Sequence, residues 1–461
     1  MFKIYDEKQD EKQKLSESLF MERPKGLIKK HAIIVLLQVM SSLTRLMCIL
    51  ALICSLLIGG HSNSAYAQPT FKDSNLKAEL VVAEGLSSPT SMAFIDNNKI
   101  LVLEKNSGEV RLVSNGILQE EPVLKLKVDT TTLTCCRGLL GIANIENEVF
   151  LYLSEAANDD QPVRNRLYKY QWNEQNHTLV HPKLILDLPA TPGPNHPGGK
   201  IAIGKDHYLY TVIGDLNNEG QLQNTEDGPE PNDSSVILKI SPKDGSSAKD
   251  NPFLNSNNNI EAGESQMHKY YAYGIRNSFG LAIDPVTGFL WEAENGDRDY
   301  DEVNLVRPGF NSGWSKLMGP ISESDVTEED LVRFPNSHYS DPVFSWSPSL
   351  GITDIEFLNS SKLGVQYQNN IFVGDITNGN IYFFEVNQTR TGLAFDNAEI
   401  QEDLIADDEE QLESITLGRG FGGITDIETS PDGFLYVLTF DQESDGDGMI
   451  YRILPSGDLN D

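Results

Sequence analysis

A histidine at position 196 is the side chain best suited to proton transfer. It opens the segment 196–204, HPGGKIAIG, and stands just before a β-rich stretch that runs to Asp215. Imidazole changes its charge near neutral pH, so it can take a proton from a substrate hydroxyl group as a general base. We therefore predict a proton-abstracting site at the loop that carries His196.

Arg276 and Asn277 form a second pair with binding chemistry, in the segment 273–281, YGIRNSFGL. A guanidinium group is a rigid fork that pairs bidentately with carboxylates, and the neighbouring amide can pair with a carbonyl group or a ring nitrogen. The pair favours a ligand that carries such groups. The alternative is a structural arginine that bonds loop carbonyls.

An acidic segment, 294–304 with the sequence ENGDRDYDEVN, offers many oxygen ligands around a glycine turn. Ca²⁺ prefers several carboxylate and carbonyl oxygens in a flexible loop. The spacing is not that of an EF-hand. We predict a Ca²⁺ site at Gly296, Asp297, Asp301 and Glu302, with a solvated acidic turn as the alternative.

The elements that must position these segments repeat along the chain. A strand, a turn and a second β-rich strand recur six times, and one further short strand follows each copy. The paired strands span residues 91–104, 140–153, 200–215, 280–294, 353–375 and 425–439. The strands that follow span residues 110–113, 167–171, 236–240, 303–306, 381–386 and 450–454.

This repetition predicts an all-β fold, a six-bladed β-propeller of four-stranded antiparallel blades over residues 85–457. A radial ring buries each sheet face against the next blade and leaves only short edges, so the pattern recurs while the connections vary in length. Inner strands line the central channel, so the loops that enter them lie at its mouth. The longest connection, 216–271, is polar, and we expect either a functional loop or a disordered insertion there.

The first 67 residues are distinct from this repeat. Residues 46–58 are apolar and lead to the sequence AYA at 65–67, which is typical of a signal peptide and its cleavage site. We interpret residues 1–67 as a cytoplasmic tail plus a signal peptide or a membrane anchor through residues 32–58, with Met40 as an alternative start. Residues 68–84 are interpreted as a linker and first strand region. The protein is therefore expected to be extracytoplasmic, either secreted or anchored.

Charge and cysteine content exclude other classes of protein. A net charge of −32 argues against nucleic acid as a partner. Cys48 and Cys54 lie in the export segment, so Cys135 and Cys136 are the pair that remains, which is too few for a disulfide scaffold. These adjacent cysteines form either a vicinal disulfide or two thiols.

Taken in order, the three segments resemble the glucose/sorbosone dehydrogenase family, whose soluble quinoprotein members are six-bladed propellers. Further matches are residues 137–143 (RGLLGIA), 346–348 (WSP) and 430–433 (SPDG). The resemblance covers nearly the whole chain that follows the export segment, and it is specific because the matches occur jointly.

The resemblance implies pyrroloquinoline quinone as cofactor, a sugar as substrate and an external electron acceptor. His196 would take the hydroxyl proton while hydride passes to the quinone, and the backbone carbonyls of Gly296 and Asp297 would hold the Ca²⁺ that polarises the quinone. The residues implied to bind the cofactor are Arg276, Asn277, Asn295, Lys200 and Trp346.

Departures from the family pattern keep two other functions open. Residues 422–426 (GGITD) and 374–380 (GDITNGN) contain no Arg or Lys, whereas family members have cations there. One alternative is a cell-surface binding module that has lost the cofactor. The other is a Ca²⁺-dependent lactonase, although the sequence does not predict the ring of side-chain metal ligands that such enzymes place in the channel.

Overall fold

Strands make up almost all the regular structure in residues 68–130, 136–254, 266–441 and 446–457, which the computed structural model describes. The chain supplies short runs of β-branched and aromatic residues, and Asn, Asp and Gly at the turns end each strand. These described strands form six sheets, which we name A to F in the order of their innermost strands.

The first three sheets follow one another along the chain. Sheet A consists of Pro89–Asp96, Lys99–Glu104, Glu109–Ser114, Ile117–Leu118 and Leu124–Lys125. Sheet B consists of Leu139–Ile145, Glu148–Glu155, Arg164–Asn173 and Thr178–Leu188. Sheet C consists of Ile201–Ile203, Leu209–Ile213, Val236–Ile240, Tyr270–Tyr273, Phe310–Asn311 and His338–Tyr339.

The other three sheets complete the set. Sheet D consists of Ser278–Ile283, Leu290–Asn295, Asp301–Val306, Phe344–Trp346 and Ile405–Ala406. Sheet E consists of Ile352–Phe357, Ile371–Asp375, Ile381–Val386, Leu393–Ala394, Thr416–Arg419 and Thr70–Phe71. Sheet F consists of Gly423–Thr429, Leu435–Phe440, Asp447–Pro455 and Leu76–Ser87. The connections carry the α-helices Ala398–Asp403 and Glu409–Ile415 and the 3₁₀ turns Gln221–Gln223, Gln266–Lys269, Ile321–Glu323 and Glu328–Asp330.

The innermost strands of the sheets lie against one another in order. The strand Pro89–Asp96 of sheet A contacts Leu139–Ile145 of sheet B, and such contacts continue through sheets C, D and E to Gly423–Thr429 of sheet F, which contacts sheet A. This ring is the arrangement of a propeller, so the predicted all-β propeller class is confirmed.

The prediction that every blade is a four-stranded antiparallel sheet, however, is wrong for part of the structure. Among the described residues, sheets B and F have four strands, whereas sheets C and D contain six and five and include parallel pairs. In sheet C the long connection between residues 307 and 343 lays two short strands along the edge, and in sheet D the added parallel strand is Ile405–Ala406.

The N-terminal strand completes the last sheet. Leu76–Ser87 pairs antiparallel with Asp447–Pro455, so the two ends of the described chain meet in sheet F. Residues 70–71 pair in the same way with Thr416–Arg419 of sheet E. The region 68–84 is therefore partly strand, and the expected boundary at residue 85 falls inside a strand.

Residues 1–67, with the expected signal peptide or anchor at 32–58, lie outside the described part of the chain, as does Cys135. Among the residues that are described, no helix is both long enough and apolar enough to cross a membrane.

Candidate active site

His196 lies where the chain enters the innermost strand of sheet C. Its backbone φ of 56° is in the left-handed region, which histidine adopts more readily than most non-glycine residues. Gly214 follows the neighbouring strand, and a Cβ there would lie only 3.0 Å from the Cβ of His196. The glycine therefore allows the histidine loop to lie close to the next strand of its sheet.

The imidazole of His196 is held by a buried carboxylate. Nδ1 of His196 lies 2.7 Å from Oδ1 of Asp215, which also accepts a hydrogen bond of 2.8 Å from the backbone N–H of Asn217. The indole Nε1–H of Trp314 donates to Oδ2 of Asp215 at 2.8 Å. With Nδ1–H donating to Asp215, the other ring nitrogen, Nε2, carries the lone pair that a general base needs. The structure therefore adds Asp215 and Trp314 to the predicted histidine.

Arg276 and Asn277 lie where the chain enters the innermost strand of sheet D. The guanidinium group of Arg276 donates to the backbone carbonyl of Asn295 at 3.1 Å and to Oδ1 of Asp297 at 3.3 Å. The side chain of Asn277 lies 3.4 Å from that of Asn295, which also bonds the carbonyl of Ile352. Nε of Arg276 and Oδ1 of Asn277 are buried, and neither has a hydrogen-bond partner among the described residues. These two atoms offer one donor and one acceptor to a ligand.

The acidic segment forms a tight turn after the second strand of sheet D. A Cβ on Gly296 would collide with the carbonyl oxygen of Tyr300, so the turn requires glycine. Asp297 is exposed and pairs with Arg276. Glu302 is buried and accepts hydrogen bonds from the backbone of Gly319 and the side chain of Asn304, and burial raises its pKa to about 7. The predicted Ca²⁺ ligands thus lie on this turn and at the start of the strand Asp301–Val306, with their carboxylates in different environments.

Asp301 already uses both carboxylate oxygens within the protein. Oδ1 accepts from the backbone of Gly296 at 3.0 Å and from the hydroxyl of Ser349 at 2.6 Å. Oδ2 accepts from the backbone N–H groups of residues 350, 351 and 352 at 2.7, 2.7 and 3.3 Å. This carboxylate ties the Gly296 turn to the entry of sheet E, so it has a structural role, and its role as a Ca²⁺ ligand stays a prediction.

Replacing Asp301 by Asn is expected to lower the free energy of unfolding by about 1.5–3 kcal/mol, because the amide nitrogen faces N–H donors that now lack an acceptor. Asp299→Asn is the matched control, since Asp299 is an exposed carboxylate on the same turn. Urea unfolding of both variants would measure the difference, and equal stability would contradict the role of Asp301.

Trp346 has a different environment from the one expected of a cofactor contact. It is fully buried, and its ring packs against Phe344, Tyr382 and Phe384 at centroid distances of 4.8, 5.3 and 5.6 Å. These residues belong to the apolar core between sheets D and E. Trp346 is therefore a core residue, and this geometry gives no support to the predicted contact with the quinone.

Lys200 is enclosed by carboxylates at the centre of the propeller. Its Nζ lies 2.6 Å from Oδ1 of Asp426, 2.9 Å from Oδ2 of Asp354 and 3.4 Å from Oε1 of Glu428. Burial alone would lower the pKa of Lys200, but these carboxylates raise it well above its ordinary value. Lys200 is therefore fully charged and fully paired, so it adds no free positive charge for a cofactor.

The carboxylates around Lys200 were missed at the level of sequence. Asp354 and Asp426 occupy equivalent places in the innermost strands of sheets E and F, each within the sequence Thr-Asp-Ile-Glu. Burial raises the pKa of Asp354 well above its ordinary value and raises that of Glu356 to about 6. Carboxylates do converge in the channel, but the group that they surround is the Lys200 ammonium.

A cavity of about 510 Å³ opens at the channel mouth on the same face as His196. It is lined at the entries of all six innermost strands, by Ser91, Leu140, Lys200, Phe279, Thr353 and Thr425. Gly198, two residues after His196, also lines it. Cys136 lines it too and takes part in a disulfide, whose predicted partner Cys135 is not described. A second cavity, of about 350 Å³, lies beyond Lys200.

The propeller and its histidine–aspartate pair do not by themselves define a reaction, and the comparisons with known proteins supply the class of protein. The family described as "Glucose / Sorbosone dehydrogenase" matches residues 86–452. The chain belongs to this family and is an oxidoreductase of the sugar dehydrogenase type.

Individual relatives support this assignment. An aldose sugar dehydrogenase of Escherichia coli is 25% identical over 372 residues, which are 80% of this chain and 90% of that protein. Quinoprotein glucose dehydrogenase B of Acinetobacter calcoaceticus is 27% identical over 57% of each chain. The PQQ-bound aldose sugar dehydrogenase of Streptomyces coelicolor, at 22% identity and a TM-score of 0.58, covers 84% of this chain and 99% of its own and has the same fold.

Proposed function

We propose that this protein is a Ca²⁺-dependent quinoprotein that oxidises an aldose or a related sugar at a hydroxyl-bearing carbon, with His196 as the general base. The observation that carries the proposal is the partly buried pair of His196 and Asp215, which lies beside the cavity that Gly198 helps to line. The names of the relatives, an aldose sugar dehydrogenase and a quinoprotein, support the substrate and the cofactor.

The residues of the channel mouth fit a planar cofactor that has both donors and acceptors. Nε of Arg276 and Oδ1 of Asn277 are buried without partners among the described residues, which is costly unless a ligand satisfies them. Arg276 and Asn277 would hold pyrroloquinoline quinone, and the backbone carbonyls of Gly296 and Asp297 would hold Ca²⁺. When bound, the quinone supplies the acceptor for the hydride that leaves the sugar carbon, and Ca²⁺ polarises it.

The chain itself supplies the proton acceptor. Nε2 of His196 takes the hydroxyl proton, so the oxygen can form a carbonyl bond as the carbon loses hydride. Asp215 keeps the imidazole in the tautomer with Nδ1–H and stabilises the imidazolium that forms. The product would be an oxidised sugar, and an external electron acceptor would be needed for further turnovers.

We also propose that the six sheets form one closed propeller and that the protein is located outside the cytoplasm. We interpret the six sheets, with their innermost strands in mutual contact, as the six blades of one propeller. The apolar run at residues 46–58 and the AYA sequence after it favour export, with either cleavage or retention of residues 32–58 as an anchor. N-terminal sequencing of the protein isolated from its native host tests this, because a chain that starts at Gln68 requires cleavage and export.

Reconstitution tests the enzymatic proposal. The apoprotein is titrated with pyrroloquinoline quinone in excess Ca²⁺ and, in parallel, in excess chelator, and a panel of aldoses is then assayed by dye reduction. We expect saturable quinone binding that weakens when Ca²⁺ is removed, followed by turnover with at least one aldose. Absence of both binding and turnover in the presence of Ca²⁺ would reject the proposal.

A binding module that has lost the cofactor is the second candidate. The observation that favours it is the pairing of Lys200, which lines the cavity but is bound to Asp354 and Asp426, together with the lack of Arg or Lys in residues 422–426. A quinone with three carboxylates would then bind weakly. Sugar binding by calorimetry without any quinone binding would favour this candidate.

A further inference from the structure

We propose that Trp314 is a positioning residue that fixes the orientation of Asp215, and through it the proton-accepting state of His196. This inference rests on the proposed function, in which His196 is the base. It adds to that function a residue that the sequence and the family comparison leave without a role.

The carboxylate of Asp215 accepts hydrogen bonds at both of its oxygens. Nδ1 of His196 and the backbone N–H of Asn217 both lie at Oδ1, whereas Nε1–H of Trp314 lies 2.8 Å from Oδ2. Asp215 is 4% exposed, so water does not replace a lost donor easily. The indole N–H therefore fixes the carboxylate plane and stabilises its negative charge.

The indole of Trp314 also contacts Arg276, which belongs to the predicted cofactor-binding pair. The guanidinium carbon of Arg276 lies 5.1 Å from the centroid of the Trp314 ring, within the range of a cation–π contact. Arg276 is on sheet D and His196 is on sheet C. One side chain thus contacts the partner of the predicted base and a predicted cofactor-binding residue.

Removal of the Trp314 N–H donor should change the protonation of the His196 imidazole. If the indole N–H is removed, the charge on Asp215 is less stabilised and attracts the imidazolium more strongly, so the protonated form of His196 is favoured. A protonated imidazole cannot accept the hydroxyl proton. Trp314 thus keeps the base available at lower pH.

The experiment uses Trp314→Phe, which keeps an aromatic ring but removes the N–H donor. Trp172→Phe is the matched control, because Trp172 donates its Nε1–H to Glu174 at 2.7 Å in sheet B. The ring resonances of His196 are followed by NMR against pH in the protein without cofactor, and they are assigned by their loss in His196→Asn. We expect the pH-dependent transition of these resonances to move to higher pH in Trp314→Phe and to stay unchanged in Trp172→Phe.

A measurement on the unmodified protein covers the case in which the variant does not fold. The chain has four tryptophans, so their indole N–H signals can be resolved and assigned. The signal of Trp314 is expected to shift with pH along the His196 titration, because both groups share one carboxylate. A Trp314 signal that does not follow the His196 resonances would overturn the inference, as would a transition of those resonances that stays in place or moves to lower pH in Trp314→Phe.

Activity gives a third readout when the enzyme is loaded with the quinone. The acidic limb of the pH profile of kcat/KM should move to higher pH in Trp314→Phe, with the plateau lowered about tenfold or less. A protein that never binds the quinone would reject the proposed function, yet the NMR titration would still test Trp314. The two failures are therefore distinguishable.

Discussion

His196→Asn is expected to lower kcat for sugar oxidation by a factor of about 10²–10⁴, the usual contribution of a general base. Asparagine tolerates the left-handed backbone of residue 196, and its side-chain N–H₂ can still donate to Asp215. The loop and the carboxylate should therefore keep their places, while the lone pair of Nε2 is lost. The measurement is steady-state dye reduction with the protein saturated in quinone and Ca²⁺.

The control for this variant is His181→Asn. His181 has the same backbone φ of 56° but is exposed on sheet B, so it tests the effect of the replacement alone. We expect its kcat to equal that of the unmodified protein, and we expect the quinone affinity of His196→Asn to change little because Arg276 and Asn277 are intact. An unchanged kcat in His196→Asn would remove this residue from the mechanism.

The fold was predictable because its strands carry a local signal. Apolar runs between Asn, Asp and Gly turns predict strands, and six repeats of one strand pair predict a propeller whatever the lengths of the connections. The outer strand of sheet F was not predictable in this way. Leu76–Ser87 pairs with a strand that lies more than 350 residues away in the chain, and no local pattern specifies such a partner.

The site was predictable only where a residue type has its own chemistry. His196 and Arg276 stand out by type and by their place before a strand, and the structure puts both on one face of the propeller. Asp215 and Trp314 carry no such signal, because their roles depend on sheets C and D being side by side. Trp346 shows what a motif leaves open, since its motif matched the family while its side chain lies in the core, and its contact with the quinone stays a prediction.

The charge of Lys200 could be predicted, but not its partners. A lysine beside a cavity is expected to attract a carboxylate ligand. The repeated Thr-Asp-Ile-Glu sequence places Asp354 and Asp426 on two innermost strands that meet at the channel, where both reach the Lys200 ammonium. The positive charge is therefore used to hold the blades together at the axis.

Lys200→Met should consequently be the most destabilising single replacement considered for this protein, with a loss of about 3–5 kcal/mol in the free energy of unfolding. Asp354 and Asp426 are buried, and removal of the Lys200 ammonium leaves their carboxylates without a counter-ion. Urea unfolding at pH 7, followed by tryptophan fluorescence, gives the value. Lys239→Met is the control: Lys239 is equally buried, but its partners Asp206 and Asp250 are 40% and 69% exposed and can be hydrated instead.

The stability lost in Lys200→Met should increase with pH. The pKa values of the carboxylates around Lys200 give this direction. Burial already raises the pKa of Glu356 to about 6, so its contribution to stability is full below the unfolded value near 4.3 and is lost as the pH rises through about 6. Burial also raises the pKa values of Asp354 and Glu428, and the Lys200 ammonium partly offsets this. Without that ammonium these pKa values rise further, so the folded variant binds more protons and loses more stability between pH 5 and pH 8.

A second replacement distinguishes a charge effect from simple loss of packing. Asp426→Asn in the Lys200→Met background removes one of the uncompensated charges and should restore part of the lost stability, most clearly at pH 8. A loss caused by packing alone would be the same at pH 5 and pH 8 and would not be reversed by the asparagine. Either of those results would show that the carboxylates around Lys200 are already neutral, and that the centre of the propeller is held by shape rather than by charge.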